Sequence, residues 1–123
     1  MNIMDKIFIG TDIVDINRIN SIIKKSGDNF LNRIFTQSER LYCDSNINPN
    51  IHYAGRFAAK EAVKKALLSS GSVDFISLIS IEINRKRNGE PIVNTKLKKG
   101  WNCKVSISHT SNFAIAFSIY CFA

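Results

Sequence analysis

Residues 55–66 read GRFAAKEAVKKA and lie at the centre of a segment whose apolar residues recur at helical spacing. One side of that helix would carry an apolar stripe, and much of the opposite side is apolar as well. The stripe is formed by Ala59, Ala62, Val63, Ala66 and Leu67, and the opposite side by Ala54, Phe57, Ala58 and Leu68. A helix that is apolar on two sides is typical of a buried element, so we predict a buried helix over about 51–68, ended by Ser69, Ser70 and Gly71.

Upstream of this helix, residues 6–13 are predicted to form a strand, because apolar residues alternate there at period two. Ile7, Ile9 and Ile13 fall on one side, and Phe8 and Val14 fall on the other. The next residues predict a first helix, with an N-cap at Asp15, apolar residues at helical spacing and a stop at Gly27. A capping box from Thr36 to Glu39 predicts a short second helix, and the Asn-rich segment 44–50 predicts a loop.

Downstream of Gly71 the periodicity changes from helical to alternating, which predicts strands. A strand over 78–84 is followed by a type I′ turn at Asn88-Gly89 and by a returning strand over 91–94. A basic turn at 98–102 then leads to two further strands, over 103–108 and 113–122, joined by a turn at 110–112. The order of one strand, three helices and an antiparallel meander predicts a single α+β domain spanning residues 1–123.

Composition favours a globular protein of the reducing cytoplasm. The three cysteines are widely spaced and lack a C-x-x-C pair, and neither an export signal nor a membrane-length apolar run is evident. The formal charge of +7 predicts attraction to polyanions. That charge alone does not distinguish nucleic acid, a phosphorylated cofactor and an acidic protein.

Asp12 is a candidate functional residue because it lies within an otherwise apolar strand. A buried carboxylate costs several kcal/mol unless it is paired or bound to a metal. Gly10 lies two positions earlier on the same face, and we expect it to leave room for a ligand. The alternative is a strand-end aspartate that caps the following turn.

Glu61 and Lys65 lie at i and i+4 on the predicted buried helix, so they can face each other or converge on a shared ligand. The alternative is an ordinary surface ion pair. Two carboxylates on rigid elements beside a lysine suit Mg²⁺, which favours oxygen ligands and often bridges to phosphates. Together with Asp12, these residues point toward phosphate transfer without identifying the substrate.

His109 follows a predicted strand and precedes a turn, a position from which side chains often project into a site. A structural histidine is the alternative. Ser108 and His109 do not indicate a serine hydrolase, because adjacent strand residues face opposite ways and no acidic partner is evident. No His/Cys cluster has the spacing of zinc ligands.

Three segments of the chain resemble the holo-(acyl-carrier-protein) synthases, the small bacterial group of 4′-phosphopantetheinyl transferases. Residues 9–19, IGTDIVDINRI, are similar to the opening of that family, and residues 55–66 are similar to its R-F-A-A-K-E-A-x-x-K-A motif. Residues 105–110, VSISHT, resemble its S-I/V-S/T-H segment. One departure is the insertion of residues 67–70 before Gly71, where family members often place a glycine directly after the helix.

The resemblance implies the 4′-phosphopantetheinyl transferase fold and a cytoplasmic enzyme of fatty acid biosynthesis. Its reaction moves phosphopantetheine from coenzyme A to a serine of an acidic acyl carrier protein. It also implies that Asp12 and Glu61 ligate Mg²⁺, with Lys65 completing the catalytic group. Arg56, Lys65 and His109 would bind coenzyme A. Arg18 would dock the carrier protein, and the enzyme would be a homotrimer that binds neither nucleic acid nor membrane.

Two other classes compete with the enzyme. A small basic nucleic-acid-binding domain would use Lys96, Lys98, Lys99 and Lys104, but it gives no reason for an aspartate in an apolar strand or a glutamate on a buried helix. A non-catalytic trimeric scaffold would not need Asp12, Glu61, Lys65 and His109 together. The enzyme therefore remains the favoured interpretation.

Overall fold

The computed structural model of the chain describes residues 2–122, which form four α-helices and five strands. In chain order they are β1 (Ile7–Asp15), α1 (Ile16–Ser26), α2 (Asp28–Ile34), α3 (Gln37–Asp44), α4 (Pro49–Ser70), β2 (Glu82–Arg85), β3 (Pro91–Asn94), β4 (Trp101–His109) and β5 (Phe113–Phe122). Within this described part, no helix has both the length and the apolar character needed to cross a membrane. The α+β class is confirmed.

The strands form two antiparallel sheets rather than one meander. The larger sheet has the order β1-β5-β4, so the first strand pairs with the last one. The smaller sheet is the hairpin of β2 and β3. Helix α4 covers one face of the larger sheet and contacts all three of its strands, and the hydrophobic core lies between them.

The inner face of the large sheet is lined by unusually small residues where α4 crosses it. Ala114, Ala116 and Ser118 of β5 are all fully buried there, and Gly10 lies beside them on β1. A Cβ atom added at Gly10 would lie 1.9 Å from the carbonyl oxygen of Ala62, which no real contact permits. The expectation that Gly10 leaves room for a ligand is therefore wrong, because the backbone of α4 occupies that space.

The opposite face of the large sheet is uncovered and apolar. We call it the bare sheet face and define it by six residues, each between 37% and 65% exposed. They are Ile9, Ile13, Phe113, Ile115, Phe117 and Ile119. Apolar patches of this kind usually mark interfaces on soluble proteins.

The helices that were predicted from capping residues or from periodicity are present in the structure. Asp15 caps α1 by accepting bonds from the backbone N–H groups of Asn17 and Arg18, and the capping box of Thr36 and Glu39 is present on α3. Helix α4 is slightly longer than predicted, and Gly71 ends it with a φ of 75°. The residues inserted before Gly71 thus extend the helix instead of reshaping a loop.

One helix was missed, so the prediction of three helices is wrong. Gly27 ends α1 and also precedes α2, a seven-residue helix too short to show a clear period. Its apolar residues Phe30 and Leu31 are nevertheless buried in the core.

The hairpin region differs from the prediction in two details. Residues 78–80 form a 3₁₀ turn, and the strand begins only at Glu82. The Asn88-Gly89 turn is not type I′, which would need a positive φ at both residues. Only Gly89 has one, at 94°, and a bond from the Gly89 N–H to the Lys86 carbonyl closes a turn within a longer loop.

A buried ion pair connects α4 to α3. The Lys60 ammonium lies 2.6 Å from the Glu39 carboxylate, and both side chains are fully buried. Both charged groups also bond to the backbone. The Lys60 ammonium donates to the carbonyls of Ile34 and Leu78, and the Glu39 carboxylate accepts from the N–H groups of Thr36 and Ile83. Burial lowers the pKa of Lys60, and the charge of Glu39 opposes that shift. Lys60 therefore supports the fold from within the core.

Breaking this pair on one side should destabilise the protein strongly. We expect Lys60→Met to lower the free energy of unfolding by about 3–5 kcal/mol, because Glu39 would remain charged and buried. The double variant Lys60→Met/Glu39→Leu should recover much of that loss. Urea unfolding measures both.

The matched control is Lys86→Met, which removes an exposed ion pair with Glu90 at 3.6 Å. Its effect should stay below about 1 kcal/mol. A Lys60→Met variant as stable as this control would contradict the assignment of the pair as a structural support.

Candidate functional site

Asp12 and Glu61 face one cavity, as the sequence predicted. Asp12 lies on the inner face of β1, opposite Ala116 of β5, and its side chain is 17% exposed. Glu61 reaches the same space from α4. The cavity has a volume of about 560 Å³ and is also lined by Arg18 and Phe57. Since Asp15 caps the following helix, the alternative role of Asp12 as that cap is wrong.

Lys65 lies beside this cavity and pairs with Asp12 instead of Glu61. Its ammonium is 3.2 Å from the Asp12 carboxylate and donates a 2.9 Å hydrogen bond to the carbonyl of Thr11. The lysine side chain is 52% exposed, so its charged end can also meet a ligand from solvent. Asp15 also lines the cavity and caps α1, and within residues 2–122 neither Glu61 nor Asp15 makes an ion pair.

The donor set of the cavity fits a hard divalent cation such as Mg²⁺. Magnesium is usually held by one or two carboxylates and completes its coordination with water and phosphate oxygens. Asp12 and Glu61 supply two carboxylates, and in the described part of the chain no group of three or more His, Cys, Asp and Glu side chains could hold a metal. The arrangement thus suits an ion that is shared with a ligand better than an all-protein site.

Arg18 brings positive charge to the mouth of the same cavity. It lies in the first turn of α1, which begins directly after β1, and its side chain is exposed. Lys24 and Lys25 lie in the last turn of this helix. Helix α1 therefore presents basic side chains at both ends, and one of them borders the carboxylates.

A second polar group surrounds the ring of Tyr42. The Arg56 guanidinium lies 3.9 Å from the centre of that ring, the Arg85 guanidinium lies 5.0 Å from it, and His52 meets it edge-on at 5.4 Å. Arg56 is only 7% exposed, and its Nε atom has no hydrogen-bond partner among the described residues. Basic side chains are therefore concentrated around Tyr42. Within residues 2–122, no carboxylate forms an ion pair with Arg56.

His109 lies near this second group. Burial lowers the pKa of His52, and the positive charges of Arg56, His109 and Arg85 lower it further. His109 itself is exposed at the end of β4, with Nδ1 3.2 Å from the carbonyl of Thr110. We call His52, Arg56, Arg85 and His109 the cationic cluster.

The structure does not join the two groups within one chain. β4 is separated from β1 by β5, and neither Arg56 nor His109 lines the cavity of Asp12 and Glu61. Sequence analysis missed Tyr42, His52 and Arg85. The spacing of His52 and Arg56, four residues apart on a helix, is a signal that could have joined two of the members.

A family model described as the 4′-phosphopantetheinyl transferase superfamily matches residues 8–118 of this chain. The chain is similar to the holo-[acyl-carrier-protein] synthase of Protochlamydia amoebophila, with 45% identity over 117 residues that cover 91% of this chain and 95% of the relative. It is 49% identical over 119 residues to the synthase of Clostridium botulinum, with coverages of 90% and 94%.

Solved structures show the same similarity in three dimensions. A holo-(acyl-carrier-protein) synthase from Bacillus anthracis in complex with CoA (3′,5′-ADP) has a TM-score of 0.80 and 33% identity, covering 94% of this chain and 96% of that one. The Helicobacter pylori synthase in complex with coenzyme A has a TM-score of 0.77 and 32% identity, covering 94% and 99%. Residues 8–118, which the family model matches, include the residues of both the carboxylate cavity and the cationic cluster.

Proposed function

The chain belongs to the 4′-phosphopantetheinyl transferase superfamily, and on this basis we propose that it acts as a holo-(acyl-carrier-protein) synthase. It transfers the 4′-phosphopantetheine group from coenzyme A to a serine of apo acyl carrier protein, releases 3′,5′-ADP, and serves fatty acid biosynthesis in the cytoplasm. The observation that carries this proposal is the convergence of Asp12 and Glu61 on one cavity beside Lys65. The similarity to named synthases along nearly the whole chain supplies the substrate class.

Asp12 and Glu61 are the residues that would hold Mg²⁺. When bound, the ion would neutralise charge that develops on the diphosphate oxygens during transfer. The two carboxylates reach the cavity from β1 and α4, which are packed together in the core, so their spacing is set before any ligand arrives. Such preorganisation lowers the cost of assembling the site during the reaction.

Lys65 would place a fixed positive charge beside the reacting phosphate. The Thr11 carbonyl and the Asp12 carboxylate orient its ammonium, which holds it at the edge of the cavity. A lysine held in this way stabilises negative charge on a phosphoryl group without moving a proton.

The cationic cluster would bind the nucleotide end of coenzyme A, which is polyanionic. Arg56 and His109 were predicted to have this role, and two observations support it: the charges of both residues act on His52, and the Nε atom of Arg56 has no hydrogen-bond partner among the described residues. Arg56 is too deeply buried to act as a simple surface charge. Its stacking on Tyr42 fixes the direction in which its guanidinium can donate.

We further propose a homotrimer with active sites between subunits. The bare sheet face supports an assembly, because six exposed apolar residues on one face of a sheet form the kind of patch that marks protein interfaces. An interfacial site would also account for the separation of the carboxylate cavity from the cationic cluster in one chain. Coenzyme A would then contact both groups from different subunits.

The carrier protein would dock on α1. Arg18 borders the carboxylate cavity, and Lys24 and Lys25 extend the basic surface to the other end of the helix. Complementary charge of this kind steers association and fixes register more than it adds affinity. An acidic carrier protein would thereby present its serine next to Asp12 and Glu61.

The transferase reaction is the first prediction to test. With coenzyme A and Mg²⁺, intact-mass measurement of an apo acyl carrier protein should show a phosphopantetheine-sized gain. Asp12→Asn, Glu61→Gln and Lys65→Met should each lower kcat/KM by about 100-fold or more, because the first two remove a proposed metal ligand and the third removes a positive charge beside the reacting phosphate. Lys64→Met is the matched control, since it removes the same charge from the neighbouring position.

No mass gain with several acidic carrier proteins would reject the proposed function. A Lys64→Met variant as impaired as Lys65→Met would instead show that net charge, and not the contact with Asp12, matters.

The docking proposal predicts that Arg18→Glu raises the KM for the carrier protein by about tenfold and weakens the dependence of that KM on salt. Steady-state kinetics between low and high ionic strength measures both effects. Arg87→Glu makes the same change of charge in the exposed loop after β2 and should leave the KM nearly unchanged. A wild-type KM that does not respond to salt would count against docking by charge.

The assembly proposal predicts a species of three 13.8 kDa chains in light scattering coupled to size exclusion. Phe117→Asp should convert it to smaller species, because it places a charge in the centre of the bare sheet face. Phe75→Asp is the control, since Phe75 is 78% exposed and lies outside that face. A wild-type monomer at micromolar concentration would overturn the trimer.

A further inference from the structure

Ser118 makes an unusual contact with the backbone of α4. It lies on the inner face of β5, is fully buried, and donates a 2.9 Å hydrogen bond from its hydroxyl to the carbonyl oxygen of Ala62. Its neighbours on the same face of β5, Ala114 and Ala116, only pack against the helix. A carbonyl inside an α-helix already accepts a bond from the N–H four residues later, so the serine adds a second bond.

The same carbonyl is held from the adjacent strand. Gly10 pairs with Ser118 in the sheet register, and a Cβ on Gly10 would lie 1.9 Å from the Ala62 oxygen. The Ala62 carbonyl therefore fits against a backbone without a side chain on β1 and accepts a hydroxyl from β5. We call this arrangement the Gly10–Ala62–Ser118 contact.

This contact lies next to both carboxylates of the cavity. Ala62 directly follows Glu61 on α4, and Gly10 precedes Asp12 by two residues on the same face of β1. On the other side of Glu61, Lys60 is fixed by its ion pair with Glu39. Glu61 is thus the one residue of the triplet 60–62 whose side chain reaches the cavity, while its two neighbours are anchored.

We propose that Ser118 is a positioning residue for the metal site, acting through the Gly10–Ala62–Ser118 contact. This inference rests on the proposed metal role of Asp12 and Glu61. The contact fixes how closely α4 lies on the sheet and how the helix is rotated about its axis. Glu61 moves with α4, whereas Asp12 stays on β1, so a shift or rotation of the helix changes the separation of the two carboxylates. Mg²⁺ tolerates little departure from its coordination geometry.

The test measures Mn²⁺ affinity by electron paramagnetic resonance, in the presence of coenzyme A and independently of turnover. Ser118→Ala keeps the packing of the alanine neighbours but removes the donor, and we expect the Kd for Mn²⁺ to rise by about fivefold. Gly10→Ala forces α4 away from the sheet, and we expect a rise of tenfold or more, within the range of about 10–100-fold seen for supporting residues of metal sites. The KM for the carrier protein should not change in Ser118→Ala.

The control is Ile83→Val, which trims a buried side chain in β2 away from this contact. It should lower the thermal unfolding midpoint as Ser118→Ala does, yet retain the wild-type Kd for Mn²⁺. If Ser118→Ala also retains that Kd, the contact serves packing alone and the inference is overturned, even if Gly10→Ala does not fold. If the wild-type protein binds no Mn²⁺, the metal role of Asp12 and Glu61 fails, and the inference fails with it.

Discussion

The close approach of α4 to the large sheet is the constraint on which the rest of the structure depends. The helix lies on glycine, alanine and serine residues of the sheet, and at Gly10 its backbone comes so close to β1 that no Cβ atom would fit. Such an approach brings polar backbone groups into the core, where they must be bonded. Because the helix lies so close to the sheet, a side chain of the helix, Glu61, and a side chain of β1, Asp12, line the same cavity.

Local signals in the sequence predicted much of this arrangement. Periodicity placed α4, capping residues placed the starts of α1 and α3, and the oddity of a carboxylate in an apolar strand identified Asp12. These features depend on neighbours within one turn or one strand, so they are visible without tertiary structure. The family resemblance implied that Asp12 and Glu61 act at one site, and in the structure both residues line one cavity.

Features that depend on distant partners were not predictable in this way. Gly10 was predicted to leave room for a ligand, because nothing near it in the sequence reveals that the backbone of Ala62 occupies that space. Nothing near Lys60 in the sequence reveals that its ammonium pairs with the buried carboxylate of Glu39, 21 residues earlier in the chain. The group around Tyr42 combines α3, α4 and β2, and no spacing along the chain connects these three elements.

The pairing of β1 with β5 has a consequence for the synthesis of the protein. Ile7 pairs with Cys121 and Asp15 with Phe113, so the sheet joins the two extremes of the described chain. During translation, β1 has no partner strand in this sheet until β5 has been synthesised. Pairing between residues this far apart in sequence slows folding. Until it occurs, the backbone N–H and C=O groups of the apolar strand β1 have no partner strand, which favours aggregation. The helices need only local contacts and can form first, whereas the carboxylate cavity, which Phe113 of β5 also lines, is complete only after β5 has joined β1.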